Sequence, residues 1–281
     1  MLSYRHAFHA GNHADLLKHY VLSLVLDYFN QKDKPYWMID THAGAGMYAL
    51  KSEFAKKNVE YETGIARLLT AQNLPESLAN FVYIVQSFNH HNSLELYPGS
   101  PKIAAHFLRA DDKLRLFELH PSDYEILQNN FPQQGRQTKI EMLDGFNGIK
   151  ACLPPPSKRA VVLIDPPYEL KTDYTHVVDC IKDSLKRFAT GTYMIWYPLL
   201  QRPEPEALVM SLKKIAHQDW LNVNLTVQRK SIEGFGMHGS GVFIINPPWT
   251  MPNILQENMP ILTDLLAIDD AAEYHLDYSI T

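Results

Sequence analysis

Short apolar runs alternate with stretches of helical periodicity along most of the chain. Helical spacing is clearest over residues 14–29 and 174–188. Seven apolar runs have the length and composition of strands, at residues 36–39, 114–117, 139–143, 160–164, 193–196, 223–227 and 242–245. This alternation predicts an α/β fold of Rossmann-like type, with a mainly parallel seven-stranded sheet and helices on both faces.

The interval between the first two strand runs is too long for a single crossover helix. Residues 52–93 have the spacing of two or three helices, with Pro75 as a break or a first-turn residue. We interpret residues 50–98 as a helical subdomain inserted into one domain that spans residues 1–281. No pattern assigns the tail over residues 250–281.

Acidic residues follow four successive strand runs. They are Asp40, Glu118, Asp144 and Asp165. Ligands of open α/β sheets bind outside the carboxyl ends of the strands, so these side chains are expected at one edge. Four carboxylates on one rim are costly unless a ligand or neighbouring donors bind them. The pattern therefore predicts a binding site at this edge.

A glycine-containing loop, residues 40–46, follows the first strand run. Gly44 and Gly46 permit a tight turn and a close approach of a ligand to the backbone. The loop lacks the third glycine of dinucleotide folds and the Gly-Lys-Ser/Thr of a phosphate loop. It suits S-adenosyl-L-methionine, with Asp40 near the amino-acid part, Glu118 on the ribose and Asp144 on the adenine.

Asp165-Pro166-Pro167-Tyr168 follows the fourth strand run of this series. Two prolines restrict the backbone dihedral angles and remove two N–H donors. The loop therefore holds a carboxylate, free carbonyls and an aromatic ring in a fixed arrangement. This arrangement suits a planar base with an amino group, which Tyr168 would stack. A similar tetrapeptide at residues 246–249 follows the last strand run, and we interpret it as a structural strand exit.

Composition narrows the classes of protein further. The net charge of −5 over 281 residues argues against a general nucleic-acid coat, although a local basic face stays possible. The sequence has no apolar run of membrane length and no signal-peptide core, and its two cysteines lack the spacing of a metal site. These features predict a cytoplasmic protein with reduced thiols. Four histidines lie near the start of the chain: His6, His9, His13 and His19. No cysteine or acidic pair completes a set of zinc ligands with them, so no metal is expected.

Several segments together closely resemble the RlmJ (YhiR) family, which methylates N6 of one adenine in 23S ribosomal RNA. They are residues 2–15, 40–46, 97–101, 118–121 and 165–169. The resemblance extends from residue 1 to about residue 249 and does not clearly include the tail. It implies the class I S-adenosylmethionine-dependent methyltransferase fold, with the helical insertion as the family's small subdomain.

The resemblance also implies roles for single residues. Cofactor contacts fall on His19, His42, Ser100, Glu118, Asp144, Gly145 and Asp165. Asp165 is the implied catalytic acceptor, and Tyr4 faces the RNA. Because their stretch is rich in aromatic, imidazole and cationic groups, His6 and Lys18 are also expected to contact RNA. The alternative is that Tyr4 and His6 only pack the first residues onto the sheet. We expect a monomer with 23S rRNA as its partner.

Three other functions share parts of this pattern. A DNA adenine-N6 methyltransferase has the same loop. A protein-glutamine methyltransferase usually begins its loop with Asn, which Asp165 disfavours. A non-enzymatic RNA-binding protein on the same fold is disfavoured because every expected acid is present.

Overall fold

The computed structural model describes residues 9–50, 59–90, 93–132, 135–216, 219–234 and 236–280. The helices are α1 (His13–Asn30), α2 (Ile65–Thr70), α3 (Glu76–Ser87), α4 (Ser100–Phe107), α5 (Pro121–Asn130), α6 (Gly145–Cys152), α7 (Lys171–Arg187), α8 (Glu204–Ala216) and α9 (Met251–Leu266), with a 3₁₀ turn at Glu60–Glu62. The strands are β1 (Trp37–Asp40), β2 (Met47–Ala49), β3 (Leu96–Pro98), β4 (Lys113–Phe117), β5 (Thr138–Glu141), β6 (Ala160–Ile164), β7 (Thr192–Leu199), β8 (Trp220–Thr226), β9 (Gly239–Ile245) and β10 (Glu273–Ser279).

The central sheet has the strand order β10-β8-β9-β7-β6-β1-β4-β5. The five strands from β5 to β7 run parallel, and the remaining neighbours pair antiparallel. The carboxyl ends of β5, β4, β1, β6 and β7 therefore meet at one edge. The predicted α/β architecture with a mainly parallel sheet is confirmed.

The predicted count of seven strands is wrong, because the tail adds β10 as an eighth strand beside β8. The tail also contains α9, which continues through Pro260. Two prolines in this helix obscure its periodicity, since proline normally interrupts a helix interior. Tyr274, Leu276 and Tyr278 alternate with polar residues along β10, which is the period of a strand packed on one face.

Alternate residues of β6 supply the core on both faces of the sheet. All five residues of this strand are buried. Val161 and Leu163 pack in the cluster that contains α1, whereas Val162 and Ile164 pack in the cluster that contains α7. A strand covered on both sides is therefore continuously apolar, as the sequence of β6 is.

The segment between β1 and β4 contains a small antiparallel sheet of β2 and β3, and α4 follows β3. Between these strands lie the 3₁₀ turn, α2 and α3, with Pro75 at the N-cap of α3. Arg67 of α2 donates hydrogen bonds to the carbonyls of Leu265 and Ala267 at the end of α9. The interpretation of residues 50–98 as an inserted subdomain stays a prediction, and residues 51–58 and 91–92 lie outside the described part.

Asn258 of α9 is a buried link between the tail and two other helices. Its Nδ2 donates to Tyr20 Oη of α1 at 2.7 Å and to Ser77 Oγ of α3 at 2.6 Å. We predict that Asn258→Ala lowers the free energy of unfolding by about 1–3 kcal/mol, because the buried Tyr20 hydroxyl and the partly buried Ser77 hydroxyl lose a donor. Urea unfolding measures this change. Asn253→Ala, at an exposed position of the same helix, is the matched control and should change stability little; equal effects of the two variants would contradict the role of the link.

Candidate functional site

A cavity of about 470 Å³ opens at the carboxyl ends of the parallel strands. Its lining includes Lys18, His19, His42, Ser100, Glu118, Asp144, Gly145, Asp165 and Tyr168, but not Asp40. Tyr4 and His6 lie outside the described residues. The edge that the acidic strand ends predicted is thus the edge where this cavity lies.

Glu118 connects the glycine loop to the end of β4. Its carboxylate accepts from the backbone N–H of Gly44 at 2.7 Å and from that of His120 at 2.7 Å. Gly44 has φ of 59° and Gly46 has φ of 76°, a backbone region that favours glycine. Burial is the main reason that the pKa of Glu118 lies above its ordinary value, and these two hydrogen bonds act in the opposite direction. Each oxygen keeps acceptor capacity for a ligand hydroxyl.

The start of α6 packs directly against the loop that follows β1. Asp144 is the N-cap of α6, and its side chain accepts from the backbone N–H of Phe146 at 2.9 Å. A Cβ on Gly145 would lie 1.8 Å from the carbonyl oxygen of Thr41, so only glycine allows this approach. The contact brings the Asp144 carboxylate beside the glycine loop.

His42 is a neutral imidazole in the wall of the cavity. Burial lowers its pKa to about 3. Its Nδ1 lies 2.8 Å from Thr41 Oγ1, which itself donates to the Leu163 carbonyl. With the hydroxyl proton used in this way, Nδ1 carries the ring proton and Nε2 is an acceptor. The ring stands edge-on to Phe146, at 4.9 Å between centroids.

Asp40 differs from the other acidic residues of the rim. It is fully buried and does not line the cavity. Its carboxylate accepts from Ser100 Oγ at 2.7 Å and from the backbone N–H of His42 at 3.2 Å. The expected contact of Asp40 with the amino-acid part of a cofactor is therefore wrong. Asp40 instead orients Ser100 and His42, because its side chain turns inward from the strand end.

Lys18 occupies a buried position beside the Asp165-Pro166-Pro167-Tyr168 loop. Its Nζ lies 2.6 Å from Asp165 Oδ2 and 3.0 Å from Asp15 Oδ1, with the side chain 6% exposed. Burial alone would lower the pKa of Lys18, but the two carboxylates outweigh it and raise the pKa above its ordinary value. Its charge is already neutralised inside the site, a geometry that does not suit a surface contact with phosphate. The predicted contact of Lys18 with RNA stays a prediction.

Tyr168 is held on three sides. Its backbone has φ of 51°, its hydroxyl donates to the Trp196 carbonyl at 2.7 Å, and its ring lies 4.6 Å from that of Tyr174. The residue is 3% exposed, so little ring surface is open for the base stacking predicted for it.

Sequence reasoning missed Asp15 and Trp196, which both line the cavity. Asp15 stands one helical turn before Lys18, a spacing that brings two side chains together. Trp196 follows the part of β7 that pairs with β6, which ends where Ile164 lies opposite Ile195. Both signals were readable in the sequence.

The second proline tetrapeptide lies away from the cavity. β9 runs antiparallel to β7, so residue 246 follows β9 beside the start of β7, at the opposite edge of the sheet. Asn246 donates to the carbonyls of Ala189 and Gly191. These contacts agree with the interpretation of residues 246–249 as a structural strand exit.

The described residues hold no group of three or more His, Cys, Asp or Glu side chains arranged to bind a metal ion. None of their helices combines the length and the apolar character needed to cross a membrane.

The strand order and the carboxylate-lined cavity at the parallel edge define a class I methyltransferase fold. The chain belongs to the RlmJ family, because the sequence profile described as "Ribosomal RNA large subunit methyltransferase D, RlmJ" matches residues 33–280. It is 47% identical over 262 residues to Ribosomal RNA large subunit methyltransferase J of Escherichia coli (strain K12), covering 93% of both chains. It is 44% identical over 279 residues to the protein of the same name from Haemophilus influenzae, covering 99% of both.

Solved structures share the fold of this chain. The crystal structure of protein LPL1258 from Legionella pneumophila superposes with a TM-score of 0.89 at 34% identity, covering 96% of this chain and 98% of that one. A probable spermidine synthase from Corynebacterium glutamicum shares the fold, with a TM-score of 0.51 at 9% identity over 92% of this chain and 74% of that one. The expectation that the tail lies outside the family resemblance is wrong, since the profile match extends to residue 280.

The buried carboxyl group of Asp40 should make the free energy of unfolding depend on pH. Burial raises its pKa from an ordinary 3.8 to about 7 in the folded protein. The folded state therefore binds more protons than the unfolded state between these values, and this carboxyl lowers stability as pH rises through that window. We predict that the stability of Asp40→Asn relative to the parent increases from pH 5 to pH 8, on the order of 1–4 kcal/mol. Urea unfolding at both pH values measures it, and a pH-independent difference would contradict the argument.

Proposed function

We propose that the protein transfers a methyl group from S-adenosyl-L-methionine to the N6 amino group of an adenine in 23S ribosomal RNA. The observation that carries this proposal is the position of Asp165. Its carboxylate begins a stiff Pro-Pro loop and lines a cavity that also contains Glu118 and Asp144. Membership of the RlmJ family and relatives named as large-subunit rRNA methyltransferases support the RNA substrate.

The residues of the cavity fit the proposed cofactor. Glu118 retains acceptor capacity suited to ribose hydroxyls, and Asp144 is suited to the adenine amino group. The tight contact of Gly145 with Thr41 keeps side chains out of the space between them. Ser100, His19 and His42 present polar groups to the same cavity. When bound there, S-adenosylmethionine supplies a methyl group on a sulfonium centre.

Asp165 and Pro166 are suited to activate the adenine amine. The N6 lone pair is delocalised into the ring, so the amine is a weak nucleophile. Hydrogen bonds from N6–H to the Asp165 carboxylate and the Pro166 carbonyl favour a pyramidal nitrogen whose lone pair is free to attack. Asp165 then accepts the proton that the alkylated nitrogen releases. The rigid prolines supply the positioning that such a reaction requires.

The base must leave its stack to enter the cavity, as it does in other enzymes that modify nucleobases. Tyr4 and His6 stay the predicted RNA contacts of the first residues. The monomeric state, the cytoplasmic location and the division into one domain with an inserted subdomain also stay predictions.

Methyl transfer from labelled cofactor tests the proposed function directly. The substrates are a transcript of 23S rRNA, a transcript of 16S rRNA, duplex DNA and a total-protein extract. We expect label only in 23S rRNA, recovered as N6-methyladenosine after digestion to nucleosides. Label in DNA or in protein would replace the proposal by one of the alternative methyltransferases. Binding of 23S rRNA without any transfer would indicate a non-enzymatic RNA-binding protein.

Asp165→Asn should lower kcat for RNA methylation by roughly two to four decades, the usual contribution of acid–base catalysis. The substitution keeps the shape of the side chain, and Asp15 remains as a partner for Lys18. Single-turnover kinetics and thermal melting measure rate and folding separately. Asp179→Asn, on the exposed face of α7, is the control and should retain the parent rate. A folded Asp165→Asn protein with near-parent turnover would remove Asp165 from the mechanism.

Glu118→Gln should weaken cofactor binding more than it slows transfer at saturating cofactor. Loss of charge-assisted hydrogen bonds worth about 1.5–3 kcal/mol corresponds to a dissociation constant raised roughly ten- to hundredfold. Isothermal titration calorimetry with S-adenosylmethionine measures the affinity. Glu125→Gln, on an exposed position of α5, should bind the cofactor as the parent does. Unchanged affinity in Glu118→Gln would place the ribose elsewhere.

A further inference from the structure

Arg202 connects the loop of residues 165–168, named the catalytic loop for its proposed role, to the loop that follows β7. We infer that Arg202 is a positioning residue, which holds the backbone of Tyr168 and thereby the Asp165-Pro166-Pro167-Tyr168 loop in its active geometry. The inference rests on the proposed function, because it assigns a role within that reaction. It concerns a residue outside the cavity lining, so its effect on the reaction is indirect.

The contacts of Arg202 converge on the end of the catalytic loop. Its Nη2 donates to the Tyr168 carbonyl at 3.1 Å and lies 3.0 Å from Tyr174 Oη. The guanidinium carbon stands 5.2 Å from the centre of the Tyr174 ring. A planar guanidinium can bind two acceptors and stack on a ring at once, which a lysine ammonium cannot reproduce. One side chain therefore binds both Tyr168 and the aromatic residue that packs on it.

Tyr168 needs such support because of its backbone conformation. Its φ of 51° lies in the left-handed region, which is unfavourable for a residue with a side chain and persists only where surrounding contacts maintain it. The hydroxyl of Tyr168 is fixed by the Trp196 carbonyl, and the backbone carbonyl is fixed by Arg202. Removing the second anchor would let the backbone relax and move the loop that contains Asp165.

Glu204, the first residue of α8, lies between Arg202 and Lys171. Arg202 Nε lies 3.9 Å from Glu204 Oε2, and the other oxygen of Glu204 lies 2.7 Å from Lys171 Nζ. Lys171 is the first residue of α7, three positions after Tyr168. Arg202 and Glu204 thus attach both the end of the loop and the helix that follows it to the β7–α8 connection.

Steady-state kinetics on 23S rRNA with three full-length variants tests the inference. We expect Arg202→Met to lower kcat roughly ten- to hundredfold, the scale that small displacements of catalytic groups produce. Arg202→Lys should give an intermediate rate, because its charge is kept and its planar fork is lost. The dissociation constant of S-adenosylmethionine should change less than twofold in both. Arg187→Met removes an equal charge from the exposed end of α7 and should retain the parent kcat.

The outcomes separate this inference from the proposed function. If the parent protein does not methylate 23S rRNA, the proposed function fails and the inference with it. If the parent is active and a folded Arg202→Met protein keeps kcat within twofold of it, only the inference is overturned. A parallel loss of cofactor affinity or of melting temperature would also overturn it, since Arg202 would then support the fold rather than the loop. A loss of kcat with unchanged cofactor affinity and melting temperature supports it.

Discussion

The buried ammonium of Lys18 between Asp15 and Asp165 is the contact on which the geometry of the site depends. A charge removed from water is tolerated only when opposite charges and hydrogen bonds surround it, so the three groups must keep their positions together. The contact joins α1 to the end of β6 across 147 positions of sequence. It fixes the rotation of α1 and thereby directs His19, the next residue of the helix, to the same cavity.

The same requirement explains how an acidic rim is stable at one edge of the sheet. Each carboxylate of this rim is bound by donors of the protein itself. Glu118 accepts two backbone N–H groups, Asp144 accepts one at the start of α6, and Asp40 accepts one together with a hydroxyl. These bonds also shape the loops, because the carboxylates set the course of the backbone that donates to them. The same hydrogen bonds therefore determine both the geometry of the binding site and the local fold of its loops.

The sequence could predict the features that depend on local pattern. Seven of the strands follow from short apolar runs, and the edge with the cavity follows from the acidic residues after them. The ion pair of Lys18 with Asp165 could not be predicted, because the periodicity of a helix does not show which side chain of a distant loop a helical residue contacts. Nor could the inward turn of Asp40, which depends on Ser100 at the start of α4. The strand β10 could have been found, because its alternation is visible in the sequence.

The charge balance of the cavity has a consequence for the proposed reaction. Lys18 is the one lysine or arginine among the described lining residues, whereas Asp15, Glu118, Asp123, Asp144, Asp165 and Asp173 all line it. Such a cavity repels phosphate, so the RNA backbone must stay at its mouth while an uncharged base enters. S-adenosylmethionine is a net cation, and loss of its methyl group removes the sulfonium charge. An acidic cavity therefore favours the proposed cofactor over its demethylated product on electrostatic grounds, and this difference promotes product release after transfer.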